Sequence, residues 1–560
     1  MRERAVGQRA TNRAVQGGWR LMAVVAAVGV LAAGCGGSAD ESDESADQPV
    51  VNANGLPAPL GPPDVEGPPT PGGILLFGLE AAPGGLNPSG VLNLSGQTIA
   101  SAIYDSLAVV NDAGEVEPHL AESIEPNAEL TEWTIVLRSG VRFHNGEPLD
   151  AEALKINVDF WMSSLVTQGG LSPIESYEVV DDLTLLVSMD RPWASFPYRL
   201  TTQTGYVAAP GFLQDAVTIG PSLAAIGTGP FVYDSDDLGR SFTVSRNDDY
   251  WAPDLPHLDA IRFEFVSDPL ERLSALNRGD LDLIHGYHPA LVDGVRRKAA
   301  AGDLKVVENG TGEEDVVAIN TQSPPFDDLL ARQALAHATD AAAWRALAEP
   351  DGGDVRGPFA PGQLGFSTDD DFPEFDLERA RRAAAEYEAL TGSPITTELL
   401  TTDRLIDQQL ADLLVEQWAA AGITATVRRA PSASLIVDVV SGNFQLVTWR
   451  NFGSIDPDAD YLWWHSSGVQ PEAISTNVSQ YASEAIDTAL DTARGTGDLA
   501  TRDASYQTVA RELNRGVAQV WLGRPTWVLA ADPQVQGLAA GQVTMATLGA
   551  KPWLATLWLS

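Results

Sequence analysis

Thr131-Glu-Trp-Thr-Ile-Val-Leu-Arg-Ser-Gly-Val-Arg-Phe-His-Asn-Gly146 is the stretch on which the fold turns. Its first eight residues alternate, which puts Trp133, Ile135 and Leu137 on one face of a strand. Asn145-Gly146 is a turn dipeptide. Asp150 then stands where a helix needs its cap, with Leu149 and Leu154 placed as a hydrophobic staple. The same grammar continues outward. Ile261–Val266 reads as a strand, and Asp268-Pro269 opens a helix that Gly279 closes. Val316–Asn320 reads as a strand and Phe326–Asp340 as a helix. Asp376 caps a helix through Leu390. Leu405–Ala421 is amphipathic, with Leu405, Leu410, Leu413, Leu414 and Trp418 on its apolar side and Gly422 at its end. Strands Ile423–Arg429 and Phe444–Trp449 flank a short helix. Strands alternating with helices in this way predict an α/β chain with mixed sheets.

The chain has 560 residues, too many for one core, so several domains are expected. Asp and Glu number 76 against 35 Lys and Arg, a formal net charge of -41. So acidic a surface repels phosphate backbones and argues against a nucleic-acid partner. The single cysteine, Cys35, rules out an internal disulfide framework.

The first residues read as an address. Arg2, Arg4, Arg9, Arg13 and Arg20 precede the uncharged run Leu21–Ala33, which is too short to span a bilayer but fits the apolar core of a signal peptide. Leu31-Ala-Ala-Gly-Cys35 resembles a bacterial lipobox. That resemblance implies cleavage after residue 34, lipid on Cys35, and a place on the outer face of the cytoplasmic membrane. Residues 36–71, acidic and then Pro/Gly-rich, are expected to be a disordered tether of roughly 30–35 Å root-mean-square span.

Nine further segments occur in a telling order: Pro71-Gly-Gly-Ile-Leu with Leu86-Asn-Pro88, Ile103-Tyr-Asp-Ser-Leu107, Pro118-His-Leu-Ala-Glu122, Leu137–Gly146, Gly227-Thr-Gly-Pro-Phe231, Arg246-Asn-Asp-Asp-Tyr-Trp251, Arg278-Gly-Asp-Leu-Asp282, Ala334-Leu-Ala-His-Ala-Thr-Asp340 and Asp456-Pro457. Together they resemble the family-5 extracellular solute-binding proteins, the dipeptide/oligopeptide-binding class of ABC importers. The resemblance implies a two-lobed, class II periplasmic-binding-protein-like fold. It places the first lobe at 72–90, 196–315 and 515–560, an inserted subdomain at 91–195, and the second lobe at 316–514. It also implies a monomer that captures a peptide or similar small solute and passes it to a permease with separate ATPase subunits. No glycine precedes any of the four lysines, so no Walker A loop is present and ATP hydrolysis falls to a partner.

In peptide-binding relatives an Asp near a Trp-to-Pro segment pairs with the peptide amine. Here the segment is Trp449-Arg-Asn-Phe-Gly-Ser-Ile-Asp-Pro457, and the clamp position falls on Phe452 or Gly453, neither acidic. Asp456 is a substitute candidate, and Trp449, Arg450 and Asn451 complete the set expected to line the cleft. Aromatic faces and guanidinium groups suit sugar, aromatic or carboxylate recognition. His285-Gly-Tyr-His288 has metal-compatible spacing but no third ligand nearby, so neither metal nor cofactor is expected. No Gly-x-Ser-x-Gly elbow or His-Glu-x-x-His is found, which argues against a secreted hydrolase. A sensory or scaffold lipoprotein that kept the fold is the other alternative.

Overall fold

The computed structural model describes residues 60–560, apart from 66, 91–93, 112–113, 165–166, 219–222, 238, 310–312, 350–352, 369–370, 453, 471–474, 539–542 and 545–550. The residues read as a signal segment, Cys35 and Gly453 lie outside the described residues.

Two mixed sheets organise the chain. The first has seven strands in the order Lys305–Asn309, Trp527–Ala531, Leu283–Gly286, Ile74–Leu79, Ala260–Phe265, Ser241–Arg246, Phe231–Asp237. Ile74–Leu79 runs parallel to both of its neighbours, and the outer pairs are antiparallel. The second has five strands, Thr424–Ala430, Thr396–Thr402, Leu446–Phe452, Glu313–Ile319 and Gln519–Gly523. Each sheet is buried on two faces. In Glu313–Ile319, Val316 and Ala318 join one apolar cluster while Val317 and Ile319 join another. Helices cover both sides, which is why these strands read as apolar runs rather than clean alternations. The predicted helix at 405–421 is Leu405–Ala420, with Leu414 and Trp418 fully buried and Gly422 at φ +88°.

The chain passes from the first sheet to the second between Asn309 and Glu313, and returns between Gly523 and Trp527. Two lobes joined by two crossings result. The boundaries differ from those expected at 315/316 and 514/515. Glu313–Ile319 already belongs to the second sheet, and Gln519–Gly523 pairs with it instead of starting the return. Gln519–Gly523 is buried throughout, and local pattern cannot say which of two sheets a short apolar run will join.

A third, antiparallel sheet, ordered Ala121–Pro126, Glu132–Leu137, Thr184–Met189, Ile174–Asp181, lies within the range expected for the insert. Helix Ala151–Ser163 packs on it, capped by Asp150, whose carboxylate accepts from Ala153 N at 2.8 Å. Trp133, Ile135, Leu137 and Leu154 share one core with Leu75 and Phe77 of the first sheet. Insert and first lobe are therefore packed as one body.

Asp105 joins them. His119 Nε2 lies 3.2 Å from its Oδ1 and Tyr250 donates to that oxygen at 2.9 Å, while Trp251 Nε1 and Thr228 Oγ1 donate to Oδ2 at 2.8 and 3.0 Å. His144 in turn meets the carbonyl of Gly229 at 3.0 Å, and Arg138 lies over the Trp251 ring at 5.1 Å. Five of the segments singled out by sequence thus converge on one buried carboxylate. Gly227 and Gly229 allow the approach: a Cβ on either would sit within 2.5 Å of the Ile103 backbone.

The tether expectation is corrected at its C-terminal end. Leu60 exchanges backbone hydrogen bonds with Val306 at 2.7 and 2.9 Å, on the edge strand of the first sheet. Asp64 pairs with the buried Lys305 at 2.6 Å and accepts from Gly537 N at 3.0 Å. An ion pair and a strand-like bridge offset the ordering entropy that the Pro/Gly-rich composition suggested would win.

Candidate functional site between the lobes

Leu446–Phe452 pairs antiparallel with Glu313–Ile319, which sets Arg450 opposite Asp315 and Phe452 opposite Glu313. Arg450 makes a two-pronged bond to Asp315, Nε to Oδ1 at 2.8 Å and Nη2 to Oδ2 at 2.7 Å. Its guanidinium also lies 4.5 Å from the ring centroid of Tyr287, a first-lobe residue. Tyr287 packs on Trp527 at 4.4 Å, Trp527 on His285 at 5.9 Å, and His285 Nε2 lies 2.6 Å from Glu80. A continuous aromatic and charged seam therefore crosses from one lobe to the other beside both crossings.

The seam is rich in buried acids. Burial raises Glu313 to about 7 against the pull of Arg450, whose Nη1 is 3.8 Å away. Burial, with repulsion from Asp315, pushes Glu349 well above the carboxylate range. Burial also works against ionised Asp315, but Arg450 outweighs it and Asp315 stays low. Asp315 therefore keeps its charge while Glu349 is held toward its protonated form. A raised carboxyl favours the fold most when the unfolded chain is also protonated. The Glu313 contribution is therefore full below about pH 4.5 and is lost as pH rises through about 7. Glu313→Gln is expected to flatten that limb in urea-unfolding midpoints taken from pH 4.5 to 8; superimposable curves would remove Glu313 from the titration.

The predicted site residues do not all serve one place. Trp449 is half-buried, and its indole N–H finds no acceptor among the described residues. Asn451 is buried, 3.5 Å from Gln519. Phe452 is placed by its strand register alone. Asp456 is engaged inside the second lobe: Arg502 Nη2 reaches its two oxygens at 2.7 and 2.8 Å, and it caps Pro457–Asp460 by accepting from Asp458 N. It works as a strut, which corrects its candidacy as an amine clamp. The two histidines of His285-Gly-Tyr-His288 are also spoken for. His285 faces Glu80, and His288 caps helix Pro289–Ala300. Among the described residues no three His, Cys, Asp or Glu side chains are grouped to hold a metal.

A second seam joins insert and second lobe, and sequence reading missed it. Trp193 Nε1 donates to Asp458 Oδ2 at 2.8 Å, Arg494 Nε donates to Oδ1 at 2.7 Å, and Ala194 N donates to the Arg494 carbonyl at 2.7 Å. Burial opposes ionisation of Asp458, but Arg494 and Arg199 prevail and bring it to about 2. The available signal was the Asp-Pro-Asp spacing at 456–458, but its partners are remote in sequence.

The family model described as "Bacterial extracellular solute-binding proteins, family 5 Middle" matches residues 115–472. The chain belongs to this family. Di/tripeptide-binding protein 2 of Pseudomonas aeruginosa (strain UCBPP-PA14) is 24% identical over 492 residues, covering 82% of this chain and 91% of that one. Among solved structures, the family-5 chain is similar to the binding protein AgaA of A. tumefaciens R10 in complex with agropinic acid, with a TM-score of 0.75, 24% identity, and coverage of 87% and 99% of the two chains. It is also similar to DppA of Helicobacter pylori in complex with the peptide STSA, with a TM-score of 0.76, 21% identity, and coverage of 88% and 98%. The two-lobed α/β architecture is shared with these binding proteins. Among the described residues no helix is long and apolar enough to cross a membrane.

Proposed function

We propose that the chain is the substrate-binding lipoprotein of an ABC importer. Lipid on Cys35 holds it at the outer face of the cytoplasmic membrane, and a peptide or similar small solute is captured between the lobes and handed to the permease. The observation that carries this reading is the contact of Arg450 with Tyr287 beside both chain crossings. A solute that touches both lobes there favours their closed arrangement by its differential affinity, and closure is what a permease can read. The work is binding, not catalysis.

The family's ligands, among them the peptide and agropinic acid bound by the two neighbours, set the range to be searched. The absence of an acid at Phe452, and the engagement of Asp456 by Arg502, weaken the case for capture through a free peptide amine. Trp449, Arg450 and Asn451 are the proposed lining, Trp449 through the exposed part of its ring. Thermal-shift screening of the mature protein against peptides, opine-like amino-acid conjugates and oligosaccharides tests the reading. A ligand at about 100 times its Kd adds roughly 2.7 kcal/mol of stability. Trp449→Ala is expected to leave the free protein folded, with a lowered melting temperature from lost packing, and to weaken the hit by about tenfold, ~1.4 kcal/mol. No shift from any class, together with scattering curves unchanged by every compound, would leave the sensory or scaffold alternative.

A further inference from the structure

A polar pocket inside the first lobe shares no residue with the Arg450 seam. Tyr104, Asp105, His119, Tyr206, Lys551 and Trp553 are among its walls. Its chemistry is lopsided. Asp105 faces it with both oxygens already taken by four donors. Lys551 is only 2% exposed, and among the described residues its ammonium reaches two neutral oxygens, Gln97 Oε1 at 3.5 Å and Tyr206 Oη at 3.4 Å. Both contacts are long for a charged donor with three hydrogens to place. No carboxylate pairs with Lys551 among the described residues, and residues 539–550, which precede it, contain no Asp or Glu. A buried cation without a counter-ion is costly unless something supplies the negative charge.

We propose that this pocket binds a carboxylate, held by the Lys551 ammonium and the Tyr206 hydroxyl, with Tyr104 and Trp553 against its apolar part. Val110 and Thr201 line both this pocket and a second one that reaches Ser454 and Asp458 of the other lobe. The carboxylate therefore belongs either to a separate small acid or to one end of the solute held between the lobes. Only the second source rests on the function proposed above. Burial brings the Lys551 ammonium down to about 8, and burial raises the neighbouring hydroxyls of Tyr104 and Tyr206, which stay protonated at that pH.

Calorimetric titration of the mature chain with acetate, succinate and benzoate, in chloride buffers at pH 7 and 8.5, tests the site. At least one probe is expected to bind. At pH 8.5 binding should take up a proton, so that the heat depends on the ionisation enthalpy of the buffer. Lys551→Met is expected to lower affinity at least tenfold while keeping the circular dichroism of the parent. If Lys551→Met leaves the thermal-shift hit between the lobes unchanged, the carboxylate is a separate acid; if that hit weakens in both Lys551→Met and Trp449→Ala, the carboxylate is the end of the interlobe solute. No heat from any of the three acids, or binding by the parent without proton uptake at pH 8.5, overturns the proposal even if Lys551→Met fails to fold. Either result leaves solute capture at Trp449 untouched.

Discussion

Asp105→Ala is expected to be the most damaging single substitution in the first lobe. It strands four donors, from His119, Thr228, Tyr250 and Trp251, the first two on buried residues. An unmade buried hydrogen bond costs about 1–3 kcal/mol, and these four belong to one network, so a loss of roughly 4 kcal/mol or more is expected. The damage should be localised. Hydrogen exchange should accelerate in Glu132–Leu137 and Phe231–Asp237, which the joint holds together, and stay unchanged in Thr396–Thr402 of the other lobe. Asp105→Asn keeps one acceptor and should recover part of the loss. A urea midpoint equal to that of the parent would show that the joint is held by apolar packing and not by this carboxylate.

Arg450→Met is the second large effect. The substitution leaves Asp315 buried beside Glu313 and Glu349 with its cation gone. Breaking a buried pair from one side costs about 3–5 kcal/mol. The outcome separates two roles that sequence alone could not. If Arg450 serves mainly to neutralise Asp315, then Arg450→Met/Asp315→Leu should regain most of the lost stability, because replacing both partners removes the stranded charge. If the double variant regains stability but binds no solute, Arg450 also acts across the lobes through Tyr287. Arg450→Lys should fall between, since an ammonium cannot reproduce the two parallel bonds or lie flat on the Tyr287 ring. A single Arg450→Met variant as stable as the parent would mean that the guanidinium is free for a solute after all.

Local structure was legible wherever local chemistry decides it. The strand read at 131–138 is Glu132–Leu137, and Asp150, Asp268 and Asp376 cap the helices they were expected to cap. Gly279 and Gly392 close theirs in the left-handed conformation. The ordered segments pointed to the family, but as local patterns their purpose was hidden. In Ile103–Leu107 nothing local marks Asp105 as a joint, because His119, Thr228 and Tyr250 arrive from elsewhere in the chain. Arg450 is a cleft-lining candidate from sequence, and the structure places it in strand Leu446–Phe452 with its guanidinium 4.5 Å from the Tyr287 ring. Its partner Asp315 is 135 residues away and is specified only by strand register, which no window of sequence contains. The same reason explains Gln519–Gly523, and Asp456, whose Arg502 comes from a helix.

The bridge between Leu60 and Val306 governs how force enters the molecule. Anything that pulls on the chain ahead of Leu60 meets Lys305–Asn309 first, the strand that runs directly into one of the two crossings. Such a load is borne inside the first lobe, where Lys305–Asn309 pairs with Trp527–Ala531. A pull applied there acts on the edge of the first lobe's sheet and not on the second lobe directly.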